Sequence, residues 1–153
     1  MSKNKKICLA ASAGGHLTQL LRLVKCCREY DTVFVSTSSV VASVLSELGK
    51  TYIIGECNRI RPFKSIKVLI RSIAIIKNEK PDYILSTGSG PCCILCLTAK
   101  IFGARVIWVD SIANIERLSL SGKIIRPFAD LFLTQWPELA DVKTKIEFQG
   151  TVI

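Results

Sequence analysis

A chain of 153 residues, 49% of them hydrophobic, fits one domain with a proper core. No apolar run reaches the roughly 18 residues that a bilayer span needs, and Ile7–Ala11 behind Lys3, Lys5 and Lys6 is too brief for a signal-peptide core, so a cytosolic protein is expected. The net charge of +9 points to anionic partners, but no aromatic residues interleave the basic ones, which sets nucleic acid aside.

The first strand is expected over 6–11, and it runs through Ser12-Ala13-Gly14-Gly15-His16 into a helix over 16–29. A strand over 32–36, a helix over 38–48 and a strand over 51–54 follow. Seven basic residues and one acid, Glu79, lie between Arg59 and Lys80. Within a helix over 62–78, the spacing puts Ile66, Leu69, Ile70, Ile73 and Ile76 on one face and Lys64, Lys67 and Arg71 on another. Such a helix packs on a sheet with its basic side in water, or meets anionic lipid headgroups through Arg59, Arg61, Lys64, Lys67 and Arg71.

The next strand, over 82–86, enters a second glycine turn, Thr87-Gly88-Ser89-Gly90-Pro91, and a helix over 90–102. A strand over 105–110 opens a long polar loop that reaches a short helix near 121–127. A strand over 130–134, a helical turn near 137–140 and a last strand within Lys145–Ile153 complete the chain. Short strands rich in Val, Ile and Leu, alternating with helices, predict an α/β fold: a doubly wound, mostly parallel, Rossmann-like sheet. The reading is a single domain over residues 1–153. Ligands of such sheets bind beyond the carboxyl ends of the strands, where both glycine turns fall.

Turns of this kind expose backbone N–H groups beside a positive helix end, a setting for phosphate. Ser12, Gly14, Gly15, Thr87, Gly88, Ser89 and Gly90 are the candidate phosphate or acceptor residues. Neither a dinucleotide fingerprint nor a Walker loop is present, and the glycines alternatively serve close strand–helix packing. His16, the only histidine, opens the first helix. A neutral imidazole there can take a proton from a sugar hydroxyl as a general base; the alternative is a local structural hydrogen bond. Ser12, His16 and Asp110 formally permit a hydrolase triad, but no Gly-x-Ser-x-Gly elbow accompanies them. Asp110, Ser111, Asn114, Glu116, Arg117 and Ser119 give the post-strand loop groups for hydroxyls or a pyrophosphate; alternatively Ser119 or Ser121 caps the next helix. The seven cysteines read as buried thiols, and Cys93-Ile94-Leu95-Cys96 lacks a second half-site for zinc, so no metal is expected.

The Ser-Ala-Gly-Gly-His loop, the Ser-Thr-Gly-Ser-Gly-Pro turn, Leu118–Lys123 and Arg126–Leu139 together resemble the Alg-fourteen/PssD family over nearly the whole chain. The resemblance implies the N-terminal half of a split GT-B glycosyltransferase of capsule, exopolysaccharide or lipid-linked oligosaccharide synthesis. It implies a subunit that binds a polyprenyl-diphosphate-linked acceptor, recruits a donor-binding partner and needs no cofactor besides the UDP-sugar substrate. It places the catalytic base at His16, and Asp110 and Asn114 depart from the family's usual loop. The expected location is cytoplasmic, peripheral to the inner face of the membrane. The alternative function is a non-catalytic recruiting and activating partner.

Overall fold

The computed structural model describes residues 4–57 and 62–152. Among them, β1 (Lys6–Ala11), β2 (Asp31–Ser36), β3 (Lys50–Ile53), β4 (Tyr83–Ser86), β5 (Arg105–Val109), β6 (Leu131–Thr134) and β7 (Ile146–Phe148) form one sheet. Its order is β3-β2-β1-β4-β5-β6-β7, and every neighbouring pair is parallel. The order reverses between β1 and β4, and the two glycine turns leave the sheet at that switch point.

Five helices connect the strands among the described residues: α1 (Gly15–Leu23), α2 (Ala42–Leu48), α3 (Pro62–Glu79), α4 (Gly90–Ile101) and α5 (Leu120–Ile125). Strand residues alternate between faces, so each face has its own core. Ile7, Leu9, Phe34 and Leu85 pack under Leu17 and Leu20 of α1 and Leu45 of α2. Cys8, Ala10, Val35, Trp108 and Phe132 lie beneath α3, α4 and α5. This is the doubly wound α/β sheet that the alternation of elements predicts.

Two local expectations are corrected. The first helix ends at Leu23 and tightens into a 3-10 turn over Val24–Cys27, short of residue 29. The tighter turn lets the Tyr30 N–H reach the Cys27 carbonyl before β2 starts at Asp31.

The second correction concerns α3. Its buried stripe is Val68, Ser72, Ile75, Ile76 and Glu79, while Phe63, Ile66, Leu69 and Ile70 are exposed. Apolar counting misjudged this face because two polar residues belong to it. Glu79 is drawn inward by cations: Lys50 Nζ lies 2.6 Å and Lys6 Nζ 2.9 Å from its carboxylate, and the Tyr52 hydroxyl donates to it. Burial pushes the Glu79 carboxyl up, but these hydrogen bonds outweigh burial and bring it down to about 2. The cluster ties the end of α3 to β1 and β3 at the amino edge of the sheet, the pole opposite the glycine turns.

Candidate functional site

The site begins where β1 ends. Gly14 caps α1 with φ 92°, a conformation that favours glycine, and no side chain caps the helix. The first N–H groups of a helix have no intrahelical acceptor, so α1 presents them, with Gly14 and Gly15 exposed, to whatever binds there. Ser12 is half-buried beside them.

The second turn differs. Ser89 sits at φ 99° and its Oγ accepts from the Cys92 N–H, Pro91 has no N–H, and the Gly88 N–H donates to Ser86 Oγ. The start of α4 therefore offers fewer unpartnered N–H groups than the start of α1. The start of α1 is the more open of the two helix ends, while the second turn is engaged in holding the first.

That hold is reciprocal. Thr87, which is buried, donates from Oγ1 to the His16 carbonyl at 2.7 Å, and His16 Nδ1 lies 2.8 Å from the Thr87 carbonyl. A carbonyl only accepts, so Nδ1 carries the hydrogen, and in the neutral ring Nε2 holds the lone pair. Nε2 makes no hydrogen bond among the described residues, and the ring is half-buried. Gly88, at φ 126°, leaves the space the ring occupies. This arrangement holds an imidazole in one tautomer with its basic nitrogen free.

The post-β5 loop is built differently from its reading in sequence. Asp110 is 2% exposed, and its carboxylate accepts from Trp108 Nε1 (3.1 Å), the Ser119 N–H (2.9 Å), Ser119 Oγ (2.6 Å) and Asn114 Nδ2 (3.4 Å). It organises the loop from beneath, its carboxylate turned inward and taken up by these four donors. Ser119 Oγ also accepts from the Gly122 N–H at 2.8 Å, so Ser119 is the N-cap of α5. Ser111 and Asn114 are half-buried, Glu116 and Arg117 are exposed, and residues 113–117 border a cleft of about 320 Å³. Glu116 and Arg117 are the loop's outward charged groups, while Ser111 and Asn114 also hold the loop's own hydrogen bonds.

Sequence reasoning missed Thr37, which donates to Glu56 at 3.0 Å, and Gln135 with Trp136, which grip the post-β5 loop from just beyond β6. All four stand near carboxyl ends of strands, the rule that singled out Asp110. Lys64, Lys67 and Arg71 are exposed on α3, whereas Arg59 and Arg61 lie outside the described residues. Cys93 and Cys96 both face the core from α4 and are buried. Burial pushes the Cys93 thiol up to about 11 and the Cys96 thiol well above its usual range, unlike a reactive or metal-bound thiolate.

Residues 35–152 match the family model described as "Oligosaccharide biosynthesis protein Alg14 like". The chain is 30% identical to a Yarrowia lipolytica protein named UDP-N-acetylglucosamine transferase subunit ALG14, over 98% of this chain and 82% of that one. The human protein of the same name is 29% identical over 96% of this chain and 82% of its own. Among solved structures, Acinetobacter baumannii MurG superposes with a TM-score of 0.80 at 16% identity, over 97% of this chain and 46% of MurG. A UDP-N-acetylglucosamine 2-epimerase superposes with a TM-score of 0.74 at 17% identity, over 97% of this chain and 49% of the enzyme. The chain thus spans about half the length of these structures, and at such identity the likeness is one of fold, that of a GT-B half.

Proposed function

The chain belongs to the Alg14-like family of oligosaccharide biosynthesis proteins, and on that premise we propose that it is the acceptor-side subunit of a UDP-sugar-dependent glycosyltransferase. The observation that carries this reading is His16, anchored through Nδ1 to the Thr87 carbonyl beside an uncapped helix end. The N–H groups of Gly14, Gly15 and the first turn of α1 hold a diphosphate of a polyprenyl-linked acceptor. Nε2 of His16 takes the proton of the acceptor hydroxyl as its oxygen bonds to the anomeric carbon, and UDP departs from that carbon with the bonding electrons.

The donor is UDP-N-acetylglucosamine, the sugar nucleotide in the relatives' names. Most of its contacts come from a partner subunit of the donor-binding half type, docked across the carboxyl edge of the sheet. In this reading no cofactor enters. Ser111, Asn114, Glu116 and Arg117 shape the acceptor cleft or its border with the partner.

No helix among the described residues is long and apolar enough to cross a membrane. Peripheral attachment is the reading that fits α3. Phe63 is 78% exposed and Ile70 61%, and Lys64, Lys67 and Arg71 are exposed on the same helix. An exposed apolar stripe bordered by cations suits an anionic leaflet, with rings and aliphatic chains among the lipids and cations at the headgroups.

A second reading is favoured by the Nδ1 hydrogen bond itself: His16 is a structural pin between the two turns, and the chain recruits and activates its partner without giving a catalytic group. The two readings part at His16→Ala in the assembled complex. Retained partner binding with turnover lost by about 100-fold or more supports the base, and retained turnover supports the pin.

A further inference from the structure

One buried amide at the carboxyl edge is unused by this chemistry. Gln135, the residue after β6, is 1% exposed. Its Nε2 donates to Gln19 Oε1 on α1 at 2.8 Å and to the Asp110 carbonyl at 2.9 Å, and its Oε1 accepts from the Val152 N–H at 2.8 Å. Both amide hydrogens and the carbonyl are engaged, each with a different segment of the chain. Burying an amide is unfavourable unless its hydrogen bonds are remade, so an aliphatic side chain would serve better if only filling were needed. What the amide adds is alignment.

The segments it aligns are those that carry the site. Gln19 stands three residues after His16, on the adjoining surface of the same helix. Asp110 is the root of the post-β5 loop, and Trp136 takes a second grip on that loop by donating from Nε1 to the Ile112 carbonyl at 2.8 Å. The Thr87 contacts fix the start of α1 against β4, and Gln135 fixes its next turn against β5 and β6. We propose that Gln135 is the positioning residue of the site: it sets the spacing between the His16 helix and the post-β5 loop, and ties that spacing to the segment at Val152.

The purpose of the spacing rests on the transferase reading, since small misplacements of reacting groups cost large factors in rate. The alignment itself does not rest on it and is read in the full chain alone. Because His16 is the only histidine, its ring nitrogens give an unambiguous ¹⁵N–¹H signature of tautomer and hydrogen bonding. Three variants are compared at a temperature where near-UV circular dichroism shows each folded: Gln135→Leu, Gln19→Leu and Trp136→Phe.

The proposal expects the single Nδ1–H pattern of the parent to broaden or shift in Gln135→Leu and Gln19→Leu and to stay in place in Trp136→Phe, which touches the loop alone. A folded Gln135→Leu with the parent His16 pattern overturns it. Should Gln135→Leu fail to fold, Gln19→Leu removes only the α1 arm and decides in the same way. These spectra need no partner, donor or acceptor. Failure of His16→Ala to affect transfer would sink the general-base reading and leave the spacing claim standing, while an unmoved His16 signal would do the reverse.

Discussion

A methyl group at Gly88 would lie 2.7 Å from His16 Cε1 and 2.8 Å from Nδ1. The glycine of the second turn is thus the space that the histidine of the first turn fills. Gly88→Ala must move the ring, and the φ of 126° adds strain for any L side chain. The expected stability loss is about 1–3 kcal/mol, a drop of roughly 2–10 °C for a domain of this size. Transfer by the assembled complex should fall much further, because the ring leaves its place. Thermal unfolding and turnover measured on one preparation check both expectations.

Asp110 and Gly122 form a comparable pair in the post-β5 loop. A methyl at Gly122 would stand 2.7 Å from Asp110 Oδ1 and 2.9 Å from Ser119 Oγ. Gly122→Ala and Asp110→Asn each disturb the same group of hydrogen bonds, so their effects should not add. Each is expected to cost about 1–3 kcal/mol, and the double variant should cost clearly less than their sum in denaturant unfolding.

Glu79 makes stability pH-dependent in a defined window. Its carboxyl is brought down from 4.5 to about 2 in the fold, so its contribution is complete above about pH 4.5. It is lost as the pH falls from there towards 2, where the folded form also takes up the proton. A depression of this size is worth on the order of 1–3 kcal/mol. Glu79→Gln should lower stability at pH 7 and flatten the acid limb between pH 4.5 and 2, as measured by urea midpoints across that range.

Exposed Phe63 and Ile70 make membrane attachment testable without the partner. In flotation with vesicles containing anionic lipid, Phe63→Asp with Ile70→Asp should abolish binding at unchanged thermal stability, since neither side chain is buried. Lys64→Glu with Lys67→Glu should weaken binding and reduce its salt dependence. Full binding by both double variants would exclude α3 as the attachment surface.

Much of this fold was legible in the sequence. Short unalternating apolar strands and intervening helical periodicity sufficed to place the elements and the parallel sheet, because both faces of that sheet are covered. The exposed turn at Gly14 and Gly15 that opens α1 was legible too, as a stretch of small residues between a strand and a helix.

The buried face of α3 was not, since Ser72 and Glu79 both count as polar, and Glu79 turns inward only because the lysines of β1 and β3 stand beside it. The inward turn of Asp110 was equally hidden. Nothing local distinguishes a carboxylate aimed at a ligand from one aimed at a serine nine residues on. Gln135 escaped notice because its three partners lie 116, 25 and 17 residues away.

The most direct measurement is transfer from radiolabelled UDP-N-acetylglucosamine to a polyprenyl-diphosphate-linked acceptor. It compares the chain alone, the chain with its donor-binding partner, and the His16→Ala chain with the same partner. Product is expected only in the second, with the His16→Ala complex still assembled. Product from the chain alone, or parental turnover by the His16→Ala complex, would contradict that expectation.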